Sequence, residues 1–169
     1  MSHSLPQLPE PEYTVIHMGA APEVPARIAA DIQEIGVPAG LIGYEYRALN
    51  EAAFMGGIGE GGLVLFGASG FFGRIGIDVA TRHVVHTPHI ASASFSHVNR
   101  DLASFHRCVT ATIARFPFYE ADEEESCQEV ADELRELISV LDGSAVVRAG
   151  FWETFCDDVA MGDYAGGNV

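Results

Sequence analysis

The chain has 169 residues, of which 24 are acidic and nine are basic, so its formal charge is −15 with the seven histidines neutral. One domain is expected, because domains usually have about 100–200 residues, and a hydrophobic content of 48% excludes a wholly disordered chain. All nine basic residues are arginine, which excludes lysine Schiff-base chemistry, and the acidic balance argues against a nucleic-acid partner because phosphate binding needs clustered basic residues.

The N-terminal part of the chain divides into a tail and a helix. Residues 1–12 contain three prolines, two glutamates and no apolar run, which predicts a flexible tail that is neither a signal peptide nor a membrane anchor. Residues 13–169 are expected to form the single domain. Apolar residues then recur at helical spacing, and Gly36 is placed to end this helix. The recurring positions are Val24, Ile28, Ile32 and Ile35.

The middle of the chain has the pattern of short strands separated by turns. The segments predicted as strands are 41–46, 63–66, 72–78, 83–86 and 91–96. The continuous apolar run Leu63–Phe66 predicts a strand covered on both faces, and Ala80–Arg82 is expected to be a hairpin turn. Strands that follow one another through short turns favour an antiparallel meander.

The last part of the chain is predicted to be helical. Asn99 is a suitable N-cap for a helix that ends at Pro117, with Asp101 in its first turn. Two further helices are expected, one carrying Val130 to Leu141 and one carrying Trp152 to Val159. Strands followed by a run of helices predict an α+β fold, with a central and largely antiparallel sheet and helices packed on one side.

Negative charge is concentrated towards the C-terminus. From Glu120 to Val169 there are 14 acids and two arginines, a net charge of −12. This stretch lacks the spacing of a calcium loop, so a solvated acidic surface is the structural interpretation. Its densest run consists of Glu120, Asp122, Glu123, Glu124 and Glu125.

The three cysteines are predicted to be buried and unpaired. Cys108, Cys127 and Cys156 are an odd number without CxxC spacing, which argues against a disulfide framework or a zinc site. A free cysteine beside apolar residues acts as a small hydrophobic side chain. These features favour a reducing, cytoplasmic environment.

Two short motifs invite a catalytic interpretation. Gly57, Gly59 and Gly62 satisfy G-x-G-x-x-G, but a dinucleotide site needs a helix after the glycines and the sequence here predicts a strand. Ser69 lies in a GASG segment, but a nucleophile elbow needs a glycine where Phe71 stands and a helix behind it. Neither motif therefore predicts nucleotide binding or hydrolysis.

Three histidines form the most tempting metal triad. In an extended segment His83 and His89 share a face but lie about 20 Å apart, with His86 on the other face. A bend at Thr87-Pro88 is needed to bring two of them to one ion. Partly exposed strand histidines are the structural interpretation, and a small metal-binding enzyme using this region stays open as an alternative.

The order of several segments resembles the SUKH superfamily of bacterial toxin-immunity proteins, most closely its fourth subgroup. The matching stretch runs from about Val24 to Tyr164, while Arg82 stands where the family hairpin usually has glycine. The matching segments are Ile35-Gly36-Val37-Pro38, Ile75-Gly76-Ile77-Asp78 with Thr81 and Val84-Val85, Val98-Asn99 with Leu102 and Phe105, and Phe151-Trp152-Glu153 with Gly162-Asp163-Tyr164.

The resemblance implies a cytoplasmic protein without catalysis or cofactor that binds and neutralises a cognate polymorphic toxin, commonly a nuclease or nucleic-acid deaminase encoded by an adjacent gene. Such enzymes have basic substrate grooves, so an acidic partner gains steering and complementarity there. The expected partner-binding residues are the acids of the 120–125 run, with Tyr44, Tyr46 and Phe71 as apolar anchors. A scaffold module of the same superfamily with a non-toxic partner is the other alternative, and no direct contact with nucleic acid or membrane is expected.

Overall fold

The structure is a computed structural model that describes residues 12–42, 45–89, 94–118 and 126–162. A five-stranded antiparallel sheet forms its centre. The sheet strands are β3 (Arg47–Met55), β4 (Leu63–Ser69), β5 (Gly73–Asp78), β6 (Val84–Thr87) and β7 (Ser96–Asn99). A separate antiparallel pair consists of β1 (Val15–Ile16) and β2 (Val37–Pro38). The helices are α1 (Ala26–Glu34), α2 (Leu102–Arg115), α3 (Cys127–Leu141) and α4 (Phe151–Ala160).

The strands of the large sheet lie side by side in their order along the chain, and every neighbouring pair is antiparallel. The helices pack on one side of this meander, so the predicted α+β fold is confirmed. In the described part of the chain, none of the helices has the length and apolar character that crossing a bilayer requires.

Strand β4 is buried on both faces, as its continuous apolar run predicts. Val64 and Phe66 belong to the main core, which the helices cover. Leu63 and Leu65 belong to a smaller cluster on the opposite face, where Ile58 from the glycine-rich loop packs with them. The loop over residues 56–62 therefore closes the second face of the strand.

The hairpin between β5 and β6 turns where the sequence predicts it. The Thr81 hydroxyl donates to Asp78 Oδ2 at 2.9 Å, and the Arg82 amide donates to the Asp78 carbonyl oxygen at 2.7 Å. Arg82 has a φ of 64°, in the left-handed region that glycine adopts most readily. The carboxylate of Asp78 thus organises the turn through local hydrogen bonds.

Two strand predictions are wrong in position. The predicted strand over 41–46 is not one among its described residues, and the strand begins instead at Arg47 and runs to Met55. The strand predicted over 91–96 begins at Ser96, and residues 91–93 lie outside the described part of the chain.

The predicted helices are confirmed, with one change of cap. Asn99 is buried in β7, and the N-cap of α2 is Asp101, whose Oδ1 accepts from the Ser104 amide at 2.7 Å. Asp101 fits this role because a short side-chain oxygen reaches the free amides of the first helical turn.

Candidate partner-binding surface

The connection between β4 and β5 presents two aromatic side chains to solvent. Gly70, with a φ of 59°, begins a three-residue turn that continues through Phe71 and Phe72. Phe71 is 80% exposed and Phe72 is 66% exposed. Phe71, expected to be an apolar anchor, therefore lies at the surface, where a partner could contact it.

An open cavity of about 360 Å³ adjoins this turn. Its wall combines the turn over residues 70–72, called the aromatic turn below, with one carboxylate and one imidazole. The imidazole is that of His86, which lies near the β4–β5 hairpin because β6 pairs with β5. The lining residues are Glu45, Ser69, Gly70, Phe71, Phe72, Gly73, His86 and Pro88.

Tyr46 is not part of this surface, and its expected role as an anchor is wrong. The side chain is 1% exposed, and its hydroxyl donates to the Pro38 carbonyl oxygen at 2.7 Å. Its ring makes edge contacts with Phe66 and Phe105 at centroid distances of 6.3 and 5.2 Å. Burial raises the pKa of Tyr46 far above its usual value of 10.0, so the phenol is a neutral donor inside the core.

The remaining predicted partner-binding residues lie outside the described residues. These are Tyr44 and the acidic run Glu120, Asp122, Glu123, Glu124 and Glu125.

The helices that follow the acidic run also carry a net negative charge. Residues 126–162 contain eight acids and two arginines, a net charge of −6. Arg135 on α3 binds Glu153 at 3.2 Å and Asp132 at 3.0 Å, and it also pairs with Asp157 on α4. Glu129 and Glu136 are exposed on α3 and have no ion pair among the described residues. The α3–α4 face is therefore negative even after its internal pairing.

A buried polar network joins β7 to the segment after α3 and to α4. Trp152 Nε1 donates to Asn99 Oδ1 at 2.9 Å, and Asn99 Nδ2 donates to Asp142 Oδ2 at 2.9 Å. Burial alone would raise the pKa of Asp142, but hydrogen bonds from the Arg100 amide, from Ser144 and from Asn99 outweigh it and bring the pKa to about 2. Sequence reasoning missed this network because its members are 43 and 53 residues apart.

The edge of this network contains a serine, a histidine and an aspartate in an order that does not make a catalytic triad. Ser144 Oγ lies 2.7 Å from Asp142 Oδ1 and 2.8 Å from His97 Nε2. In a triad the carboxylate binds the imidazole and orients it as a base. Here the carboxylate binds the serine instead, which is a structural arrangement.

The three histidines considered for a metal site contact three different partners. The rings of His83 and His97 are 4.9 Å apart, His86 lies 6.2 Å from Phe151, and His89 stacks on Phe72 at 6.0 Å. Within the described ranges, no group of three or more histidine, cysteine, aspartate or glutamate side chains is arranged to hold a metal ion.

The other chemical motifs have structural roles. Ser69 ends β4 and is followed by a turn into β5, and the 56–62 glycine loop leads into a strand. All three cysteines are free and buried, as predicted. Burial raises the pKa of Cys108 to about 11 and that of Cys156 to about 12, so both remain thiols at neutral pH.

Comparisons of the chain with protein-family models, with curated proteins and with solved structures each gave no significant match.

Proposed function

We propose that this protein binds and neutralises a cognate toxin enzyme that acts on nucleic acid, by laying an acidic surface over the toxin's basic substrate groove. The toxin would be encoded next to this chain, and the chain would act by occlusion without a reaction of its own. The acidic run at 120–125 and the negative α3–α4 face would occupy the places of substrate phosphates.

The segregation of charge carries this proposal. The last fifty residues hold −12 of the total −15. Opposite potentials steer two proteins together and raise the association rate, and this effect is strongest where charge of one sign is collected on one surface. Acids scattered evenly would steer a partner less effectively.

Exposed aromatic side chains support a protein partner in particular. Phe71 and Phe72 are both more than half exposed at the end of a hairpin. Binding energy in protein interfaces is concentrated in a few buried anchors, and aromatic residues are enriched there. The proposed complex would combine electrostatic steering by the acids with an aromatic anchor at the hairpin.

Coexpression with the product of the adjacent gene tests the proposal. We expect growth rescue and copurification of the two proteins. We also expect Glu123→Lys, Glu124→Lys and Glu125→Lys combined to slow association at least about tenfold at low salt, because steering accounts for 10- to 1000-fold in association rates.

A matched control separates the acidic run from net charge. Glu23→Lys, Glu34→Lys and Glu60→Lys change the net charge by the same amount at exposed positions before the acidic stretch. Equal slowing by both triple variants would remove the acidic run from the interface. Failure of the two proteins to copurify would overturn the proposed function itself.

A further inference from the structure

The positive charge of the chain is as unevenly distributed as its negative charge. Between Asp78 and Glu120 the sequence has four arginines, and Asp101 is the single acid, so this segment has a charge of +3 in a chain of −15. It forms β6, β7 and α2, and β7 is the edge strand of the large sheet. The four arginines are Arg82, Arg100, Arg107 and Arg115. An acidic protein thus has a basic region of its own at this edge.

Two of these arginines donate to one hydroxyl in the first part of α2. Arg100 Nε donates to Ser104 Oγ at 3.1 Å, and Arg107 Nη2 donates to the same oxygen at 3.0 Å. Ser104 is buried in the fold, while both arginines are exposed. A fixed oxygen therefore holds two positive charges next to each other at the surface.

Within the described ranges, neither guanidinium forms an ion pair with a carboxylate. A guanidinium has five N–H groups, and in this part of the structure Ser104 accepts from one of them on Arg100 and from one on Arg107. The other N–H groups of both side chains have no acceptor among the described residues. They are available to a ligand that brings both negative charge and several acceptor oxygens.

Two carboxylates near the arginine pair are engaged in the fold. Asp101 Oδ1 accepts from the Ser104 amide at 2.7 Å and caps α2. Asp142 is buried, and its Oδ2 accepts from the backbone amide of Arg100 at 2.9 Å. Asp101 is exposed and reduces the positive potential beside the pair, so its charge can be removed by substitution as a test.

We propose that Arg100 and Arg107 form a binding site for a phosphate dianion, either free or as the monoester of a small molecule. Guanidinium groups match phosphate oxygens geometrically and donate pairs of hydrogen bonds to them. A phosphate has up to two negative charges and three strong acceptor oxygens, enough to contact both arginines at once. A carboxylate has a single charge, which one guanidinium satisfies.

Titration of the full chain with inorganic phosphate tests the site. Sodium phosphate would replace sodium chloride at pH 8 and constant ionic strength, while NMR follows the amide and arginine Nε–H signals of residues 100–107. We expect a saturable shift in the millimolar range. Adenosine monophosphate distinguishes the two sources of phosphate: tighter binding than that of inorganic phosphate identifies an ester as the ligand, and equal or weaker binding identifies free phosphate.

Three variants test the role of each charge. Arg107→Met should weaken phosphate binding at least about tenfold, because it removes one of two charge-assisted contacts. Arg107→Lys keeps the charge without the planar fork of donors, so it should recover part of the affinity. Asp101→Asn should strengthen binding severalfold, because it removes the neighbouring negative charge while an amide oxygen can still cap α2.

Arg27→Met is the matched control, because it changes the net charge by the same amount. Arg27 is exposed on α1 and has no ion pair among the described residues. Helix α1 follows the bridge between Ala20 and Ala52, which lies at β3, the opposite edge of the sheet from β7. The control should therefore leave the affinity for phosphate unchanged.

Three results would overturn the inference. The absence of a saturable shift would show that there is no site. Equal weakening by Arg27→Met and Arg107→Met would show a response to net charge alone. Acetate that bound as tightly as phosphate would show that the second charge of the dianion is not recognised.

The titration contains no toxin, and neither arginine belongs to the proposed acidic surface. If phosphate does not bind while the adjacent gene product still copurifies, this inference fails and the proposed function is unaffected. If phosphate binds but no complex forms, the proposed function fails and the phosphate site is unaffected.

Discussion

At Gly67, in the middle of β4, the absence of a side chain makes room for a buried aromatic ring. A Cβ atom added there would lie 2.3 Å from Cε2 of Tyr46, whose hydroxyl is held by Pro38. The ring cannot move away because it is enclosed by the core. Gly67→Ala should therefore lower the free energy of unfolding by about 1–3 kcal/mol, the usual cost of overpacking, as measured by urea denaturation.

Gly19→Ala provides the control for this substitution. A Cβ atom at Gly19 would meet nothing within 4 Å, and its backbone lies outside the left-handed region. Its effect should stay within about 0.5 kcal/mol, as for other surface changes. Similar losses for the two variants would show that the contact with Tyr46 does not decide the result.

A second residue-scale prediction concerns His106, which ties α2 to the N-terminal segment. Nε2 lies 2.7 Å from the Gly36 carbonyl oxygen, so it carries the hydrogen, and Nδ1 accepts from the Tyr13 hydroxyl. Burial lowers the pKa of His106 below 6.5, although the hydrogen bond to Gly36 opposes the shift. The unfolded state then binds more protons near that pH, so folding stability should fall as the pH decreases through about 6.5.

His86 and His97 shift in the same direction because of burial, so all three act together. Urea unfolding at pH 8 and pH 5.5 should show lower stability at the acidic value. His106→Gln keeps a donor but cannot titrate, and it should reduce the difference between the two pH values. An unchanged difference would mean that His106 does not contribute to it.

Single residues also show where sequence reasoning fails. Asn99 is of a residue type that is common at N-caps, but it lies in strand β7, where its side-chain amide hydrogen-bonds to Trp152 and Asp142. Tyr46 is of a residue type that is common among interface anchors, but its side chain is buried in the core. In both cases the deciding contacts are with residues remote in sequence or in another element, and no local pattern encodes them.

At the scale of elements, helices were predictable and some strands were not. The helices follow from apolar spacing and from breakers such as Gly36 and Pro117, which act within one or two turns. Strand β3 contains Asn50 and Glu51 and has mostly exposed side chains, so it lacks both a continuous apolar run and a clean alternation. Its pairing with β4 gives it strand structure, and that pairing is tertiary.

The contact between α3 and α4 gives an element-scale prediction. Arg135 is 21% exposed and joins carboxylates from both helices, including Glu153, which is 26% exposed. Arg135→Met removes the cation and leaves three carboxylates near one another. We expect a loss of about 1–2 kcal/mol in unfolding free energy at low salt, which is more than one exposed pair contributes because several charges share this arginine.

Arg148→Met is the control, since Arg148 is exposed and has no ion pair among the described residues. Its effect on unfolding should be small. The loss caused by Arg135→Met should shrink in high salt, because added ions screen the remaining repulsion. A loss that is independent of salt would instead indicate that the arginine stem contributes through packing.

At the scale of the whole molecule, the composition predicted that the surface charge is negative, but it did not predict how the charged groups are arranged. The count of acids identifies the C-terminal third as negative. It does not reveal that Arg135 neutralises part of that charge or that a cavity adjoins Phe71 at the end of a hairpin. Ion pairing and cavities depend on how elements pack, so the candidate site could be predicted by chemical character only.

The binding kinetics of the proposed complex should therefore have a rate that depends strongly on salt and a rate that depends on it only weakly. Raising the salt from about 0.05 M to about 0.5 M shortens the Debye length several-fold, so the association rate of the chain with its partner should fall steeply. Dissociation should change less, because it depends on desolvated contacts such as Phe71. Stopped-flow mixing at both salt concentrations measures the first rate and a chase experiment measures the second.

Phe71→Ala should speed dissociation while keeping the salt dependence of association, whereas reversal of Glu123, Glu124 and Glu125 should flatten that dependence. If both variants changed the same rate constant, the acids and the aromatic turn would act as one contact, and steering by charge would not be a separate step.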